Sequence, residues 1–131
     1  MTIEYRANAN LQPEQLAAVF ERSGIRRPVR ETERIRKMIT HANLTVTAWD
    51  GEALVGVARA LTDFCWCCYL SDLAVDKSYQ RQGIGRTLIE RVQAEAGDET
   101  SLLLLAAPEA AEYYPKIGFE PVLNGWLLPR R

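Results

Sequence analysis

The stretch that most constrains the fold of this chain runs from residue 73 to residue 107. It holds Leu73-Ala74-Val75, a polar loop, two glycines at Gly83 and Gly85, and then Ile84, Leu88, Ile89, Val92 and Ala96. That spacing predicts an amphipathic helix, and Gly97 is a natural stop for it. Residues 102–107 follow as an apolar run without alternation, which predicts a strand buried on both faces. Strand, helix and buried strand in series make a parallel crossover unit, so a helix must cover one face of a sheet.

The segment before this unit reads differently. Residues 3–6 suit a short first strand. Pro13 suits the first turn of a helix carrying Leu16, Val19 and Phe20, ending at Ser23-Gly24. The basic connector Arg26-Arg27-Pro28-Val29-Arg30 leads to a second helix, with Thr32 as cap and Ile35, Met38 and Ile39 as its buried stripe. Residues 44–49 alternate as a half-buried strand, Asp50-Gly51 is a hairpin turn, and residues 54–61 return. A turn near Thr62-Asp63 precedes a β-rich run over 67–75. Beyond the apolar run, Pro108 opens a short helix and residues 119–128 read as a last hairpin around Asn124-Gly125. The fold class is α/β (α+β) with a mixed sheet. No repeat or linker interrupts the 131 residues, so a single domain over 1–131 is expected.

Composition narrows the function. Sixteen Lys and Arg against 17 Asp and Glu give a net charge of −1, no electrostatic reason to expect nucleic-acid or membrane binding. The opening Met1-Thr2-Ile3-Glu4-Tyr5-Arg6 lacks the basic-then-apolar pattern of a secretory signal, so a cytoplasmic protein is expected. Cys65, Cys67 and Cys68 make a poor disulfide framework, and no second Cys/His pair completes a tetrahedral metal site. They read as ordinary strand residues, with Cys65 and Cys67 on one face and Cys68 on the other; no metal is expected.

The chemistry concentrates at Gly83 and Gly85. Amides in the first turn of a helix have no internal partner, and the helix dipole adds positive charge there. Glycines let an anion come close, and Arg81 and Arg86 outnumber Asp76. A phosphate or pyrophosphate seat follows, although two glycines also permit a tight turn with no ligand. A P-loop is excluded because Gln80 stands at its first glycine and Arg86 at its lysine. The Rossmann signature fails because Leu88 stands where its third glycine belongs.

Gln80-Arg81-Gln82-Gly83-Ile84-Gly85 instead fits the Q/R-x-x-G-x-G/A signature of the GNAT superfamily of N-acetyltransferases. Downstream, Ala110, Tyr113, Tyr114, Lys116, Gly118 and Phe119 match that family's A-x-x-F/Y-Y-x-K-x-G-F segment. With the element order, the chain resembles the family over essentially its whole length. One departure is Ala107, where many members carry an asparagine that helps hold the pantetheine arm.

The resemblance implies a mostly antiparallel mixed sheet with a central splayed parallel pair flanked by helices. It implies acetyl-coenzyme A as co-substrate, and direct attack by a primary amine of a small molecule or peptide in a ternary complex. The pantetheine arm would pair with Leu73, Ala74 and Val75, one of whose amides near Leu73 or Ala74 would take the oxyanion. The pyrophosphate would sit on the amides of Arg81, Gln82, Gly83, Ile84, Gly85 and Arg86, with Ile84 turned into the core and Gln82 and Arg86 flanking. Tyr114 matches the family tyrosine near the cofactor sulfur and is expected to face the cleft while Tyr113 packs. Asp72 is a candidate general base, with a satisfied turn or core acid as the other reading. His41 reads as a complement to a helix C-terminus. Arg26, Arg27 and Arg30 read as a solvated loop, with attraction of an acidic acceptor group as the alternative. A non-catalytic acyl-coenzyme A-binding module, or an interaction protein using Trp66 and Trp126, are the competing functions. Aromatics near the C-terminus would equally suit a homodimer contact.

Overall fold

A computed structural model describes residues 2–131; Met1, the first residue of the expected domain, lies outside them. The elements are β1 (Ile3–Ala7), α1 (Pro13–Ser23), α2 (Thr32–His41), β2 (Leu44–Asp50), β3 (Ala53–Thr62), β4 (Cys67–Val75), α3 (Ile84–Ala96), β5 (Ser101–Leu103) and α4 (Tyr113–Lys116). Single 3-10 turns lie at Lys77–Tyr79 and Pro108–Ala110. The five strands form one sheet in chain order, the first four antiparallel and β4 parallel to β5.

Local sequence explains the helices. Pro13 opens α1, Gln12 and Gln15 make a capping box, and Gly24 closes it in the left-handed region at φ 84°. In α3 all five apolar positions of the helical repeat are buried. They pack with Leu44, Val46, Val55 and Leu70 on one sheet face. On the opposite face Leu16, Val19 and Phe20 of α1 and Ile35 of α2 pack with Trp49, Leu54, Val57 and Ala74. Helices on both faces bury β2 almost throughout, where alternation alone predicts a half-buried strand. Thr32 is the first residue of α2 rather than its cap, which is Glu31.

Two further expectations are corrected. The strand expected over 102–107 forms only at Ser101–Leu103, with Leu102 half-buried between two exposed neighbours. The hairpin expected over 119–128 is absent: the segment makes one turn and no strand. Pro121 has no amide to give a ladder. The tail's Leu123, Trp126 and Leu128 are more than 90% exposed, without packing to hold an extended pair together.

A register shift separates Arg59 and Ala60 on β3, which face Asp72 and Leu70 on β4, so Ser71 is an inserted residue. A bulge reverses the side-chain alternation that follows it. Cys68 and Leu70 therefore point to the α3 face, and beyond the bulge Leu73 and Val75 do so while Ala74 faces α1 and α2. The cysteines separate by face as expected, with Cys68 buried and Cys67 exposed; Cys65 lies in the preceding turn.

Leu88 is fully buried at the contact of α3 with the sheet. Leu88→Ala is expected to lower unfolding free energy by roughly 2–5 kcal/mol, read from urea denaturation.

Candidate active site

Strands β4 and β5 pair only through Cys67, Cys68 and Tyr69 against Ser101, Leu102 and Leu103. Beyond that point they part. The gap is a cleft of about 920 Å³ with Leu73, Ala74 and Val75 on one wall and residues 104–107 on the other. On β4, Asp76 N–H donates to Val55 C=O, and the pair register places Ala74 and Asp72 in the same bonding phase toward β3. The backbone groups of Leu73 and Val75 therefore point into the cleft. The Val75 carbonyl accepts from the Gln80 side chain at 2.9 Å and the Ser71 carbonyl from Arg27 at 3.0 Å. Leu73 keeps a donor and an acceptor open, which is the edge an extended amide-bearing chain can pair with.

At the cleft mouth the chain turns through Arg81 at φ 66° and Gly83 at φ 82° before α3 begins. A Cβ at Gly83 would meet nothing within 4 Å, so glycine is needed there for its left-handed backbone rather than for space. The first internal bond of the helix runs from Thr87 N–H to Gly83 C=O. Among the described residues, none of the six amides from Arg81 to Arg86 has a protein acceptor. No acidic side chain lies in the first turn of α3. Asp76 is occupied elsewhere, capping Ser78 N–H at 2.8 Å and pairing with Arg22 at 3.0 Å. A row of unpaired donors on a helix N-terminus is the arrangement that takes a diphosphate. Arg81, Gly83, Ile84, Gly85 and Arg86 line the cleft; Ile84 is also buried in the core, and exposed Gln82 stands outside the cleft wall.

Both tyrosines of α4 reach the cleft, whereas only Tyr114 is expected there. Tyr113 is the more open, and its hydroxyl lies 3.8 Å from the Cβ position of Gly85. Tyr114 sits between the rings of Tyr113 and Phe119 in edge contacts at 5.3 and 5.4 Å, against the α3-side core. A single helical turn lying along the cleft lets both rings border it. Burial pushes the Tyr114 phenol above its ordinary value, with Tyr113 adding to the effect. No side chain or carbonyl among the described residues bonds the Tyr114 hydroxyl, and no buried side-chain polar atom there lacks a partner. The hydroxyl is therefore open to the cleft.

Asp72 is placed otherwise than a free base requires. The bulge turns it under α1 and α2, where its side chain is 0% exposed. One carboxylate oxygen meets Arg27 Nε and the other Arg59 Nε, each at 2.5 Å. Arg59 also donates to Ser71 Oγ at 3.0 Å and to the Met38 carbonyl at 3.3 Å. Both carboxylate oxygens are engaged in a buried site, the arrangement of a satisfied core acid rather than of a free base. Arg27 is correspondingly no solvated loop residue. Arg59 is missed by sequence reasoning, although a lone arginine between Ala58 and Ala60 in an apolar strand is a readable signal for a buried partner.

Set beside known proteins, residues 9–125 match the family model of the acetyltransferase (GNAT) domain. The chain belongs to the GNAT acetyltransferases. It is 38% identical over 72 residues to histone acetyltransferase TAP1 of Glycine max, an alignment covering 51% of this chain and 30% of that protein. The chain thus spans under a third of that relative's length. The fold matches a crystal structure of a protein of unknown function from meticillin-resistant Staphylococcus aureus, with TM-score 0.84 and 24% identity over 99% of this chain and 100% of that one. It also matches aminoglycoside N-acetyltransferase AAC(6')-Iy in complex with coenzyme A, with TM-score 0.74 and 16% identity over 99% and 95% of the two chains.

Asp72→Asn leaves two guanidinium groups without their shared anion, and a loss of about 3–5 kcal/mol is expected in urea denaturation. A variant as stable as the parent, but with a lost ascending limb in its pH–rate profile, would return Asp72 to the role of base.

Proposed function

We propose that the chain is an acetyl-coenzyme A-dependent N-acetyltransferase that passes an acetyl group to a primary amine of a small molecule or peptide by direct attack in a ternary complex. We take residues 1–131 as one such domain. The observation that carries the reading is the row of six unpaired amides at the mouth of a cleft opened between two parallel strands. Coenzyme A fits both features: its diphosphate suits the amides of residues 81–86, flanked by Arg81 and Arg86, and its pantetheine amides suit the open Leu73 carbonyl and Val75 N–H. When bound, acetyl-coenzyme A supplies an activated thioester.

The chain's own residues then do three things. Leu73 N–H, aimed into the cleft, is offered as donor to the carbonyl oxygen as charge builds on it. Tyr114, kept protonated by its burial, donates from Oη to the departing sulfur. The apolar walls keep water from competing with the amine. Asp72 holds Arg27 and Arg59 in place instead of accepting the amine's proton, so the amine arrives neutral. The proton its nitrogen sheds after attack goes to water, and Tyr114 regains from water the proton it gives to sulfur. A non-catalytic binding module would leave the open Tyr114 hydroxyl without a task, which favours the enzyme.

Three unpaired cysteines suit a reducing compartment, and we place the enzyme in the cytoplasm. A homodimer formed through the C-terminal tail would cover Leu123, Trp126 and Leu128.

With acetyl-coenzyme A and an accepted amine, free thiol is released, and Tyr114→Phe is expected to lower kcat about 10²–10⁴-fold with little change in the KM for acetyl-coenzyme A. Equal kcat in the two proteins contradicts the proton-donor role. The pH dependence follows from the same residues. The rate rises with pH until the acceptor amine is deprotonated. Tyr114 is the proton donor below its folded pKa, which is raised, so the falling limb lies above the ordinary phenol value of 10.0. A falling limb between pH 7 and 9 in the parent, absent in Tyr114→Phe, would contradict the sign.

A further inference from the structure

The cleft has a second charged feature, at the end away from the amide row. Arg27, on the connector between α1 and α2, lines the cleft beside Ser71. Its guanidinium is held on three sides: Nε on Asp72, Nη2 on the Ser71 carbonyl at 3.0 Å and Nη1 on the Arg26 carbonyl at 2.6 Å. A guanidinium has five N–H groups, so two remain, one on each Nη. The side chain is 27% exposed, enough to be reached from the cleft and little enough to be poorly hydrated.

Charge at this end does not balance. Asp72 is shared by two guanidinium groups, and Arg59 is the more buried of them at 10% side-chain exposure. One positive charge is left over, and Arg27 is the member of the cluster that meets the cleft. The other charged residues of the lining are Lys77, Arg81, Arg86 and a single acid, Glu109. Arg81 and Arg86 belong to the amide row. Glu109 follows residues 104–107 on the opposite wall, so no lining carboxylate offsets Arg27 on its own wall.

We propose that Arg27 is a specificity-determining residue that selects amine acceptors carrying a carboxylate, such as an amino acid or the C-terminus of a short peptide. The proposal rests on the acetyltransferase reading and adds the class of acceptor to it. With one N–H left on each Nη of a rigid plane, the guanidinium can donate to both oxygens of one carboxylate. The acid's charge would neutralise the surplus of the cluster, while the amine end lies toward Leu73 and Tyr114. A polycationic acceptor would meet Arg27 and Lys77 as like charges. Asp72 and Arg59 act as positioning residues, fixing the plane of the Arg27 fork.

The test uses the full chain with acetyl-coenzyme A and a panel of the common amino acids, their C-terminal amides and simple alkyl amines. Thiol release is measured at varied acceptor, and calorimetry follows the binding of N-acetyl amino acids and their amides to the coenzyme A-loaded protein. The best acid is expected to exceed its own amide in kcat/KM by about tenfold to a hundredfold, chiefly through KM. Arg27→Gln should erase that ratio, Arg27→Lys should restore part of it, and both should bind coenzyme A as the parent does. Calorimetric preference for the N-acetyl acid over its amide should vanish in step, a readout independent of turnover. Acids and amides used or bound equally by the parent, or a ratio unmoved in Arg27→Gln, overturns the proposal and leaves the acetyltransferase reading standing. Turnover confined to amines without a carboxylate does the same. Coenzyme A binding without thiol release from any acceptor sinks that reading and the proposal with it.

Discussion

Hydrogen bonds hold β4 to β5 for three residue pairs and then stop. A parallel pair that continued would satisfy the backbone of Leu73 and Val75 and leave no cleft. Because it parts, one wall presents open peptide groups, α4 comes to lie along the opening, and the first turn of α3 faces outward at its mouth. Burial costs of unpaired peptide groups make such an opening tolerable only where water or a ligand reaches it. The strand edge, the amide row and the Tyr114 hydroxyl are three views of that one opening.

The bulge at Ser71 sets the chemistry of the other end. One inserted residue reverses which face Asp72 looks toward, and so brings it under α1 and α2 rather than under α3. There it meets Arg59 from the adjacent strand and Arg27 from the connector. A buried carboxylate shared by two guanidiniums is a clamp that fixes both side chains. The same cluster that engages both oxygens of Asp72 fixes Arg27 at the cleft wall.

Much of this is legible in the sequence, and what is legible is local or periodic. The five apolar positions of α3 recur at helical spacing, and all five are buried. Strand β4 occupies Cys67–Val75, as its composition predicts, and the parallel unit forms where strand, helix and apolar run follow one another. What is not legible depends on distant partners. Arg27 and Asp72 are 45 residues apart, and neither residue's neighbours reveal the pairing. The apolar run over 102–107 reads as a strand because its composition cannot tell a paired edge from a cleft wall. The tail after Phe119 carries hairpin residues but no surface to pack them on. Both tyrosines border the cleft because a helix of four residues follows its surroundings more than its own periodicity.

The central claim is that the amides of residues 81–86 receive a diphosphate. Backbone amide NMR shifts of the full chain, titrated with coenzyme A and separately with pantetheine, read that contact directly. Coenzyme A should move the Arg81–Arg86 amide protons strongly downfield as hydrogen bonds form to the phosphate oxygens, and pantetheine, which has no diphosphate, should leave them in place. Saturable coenzyme A binding with those six resonances unmoved would contradict the account.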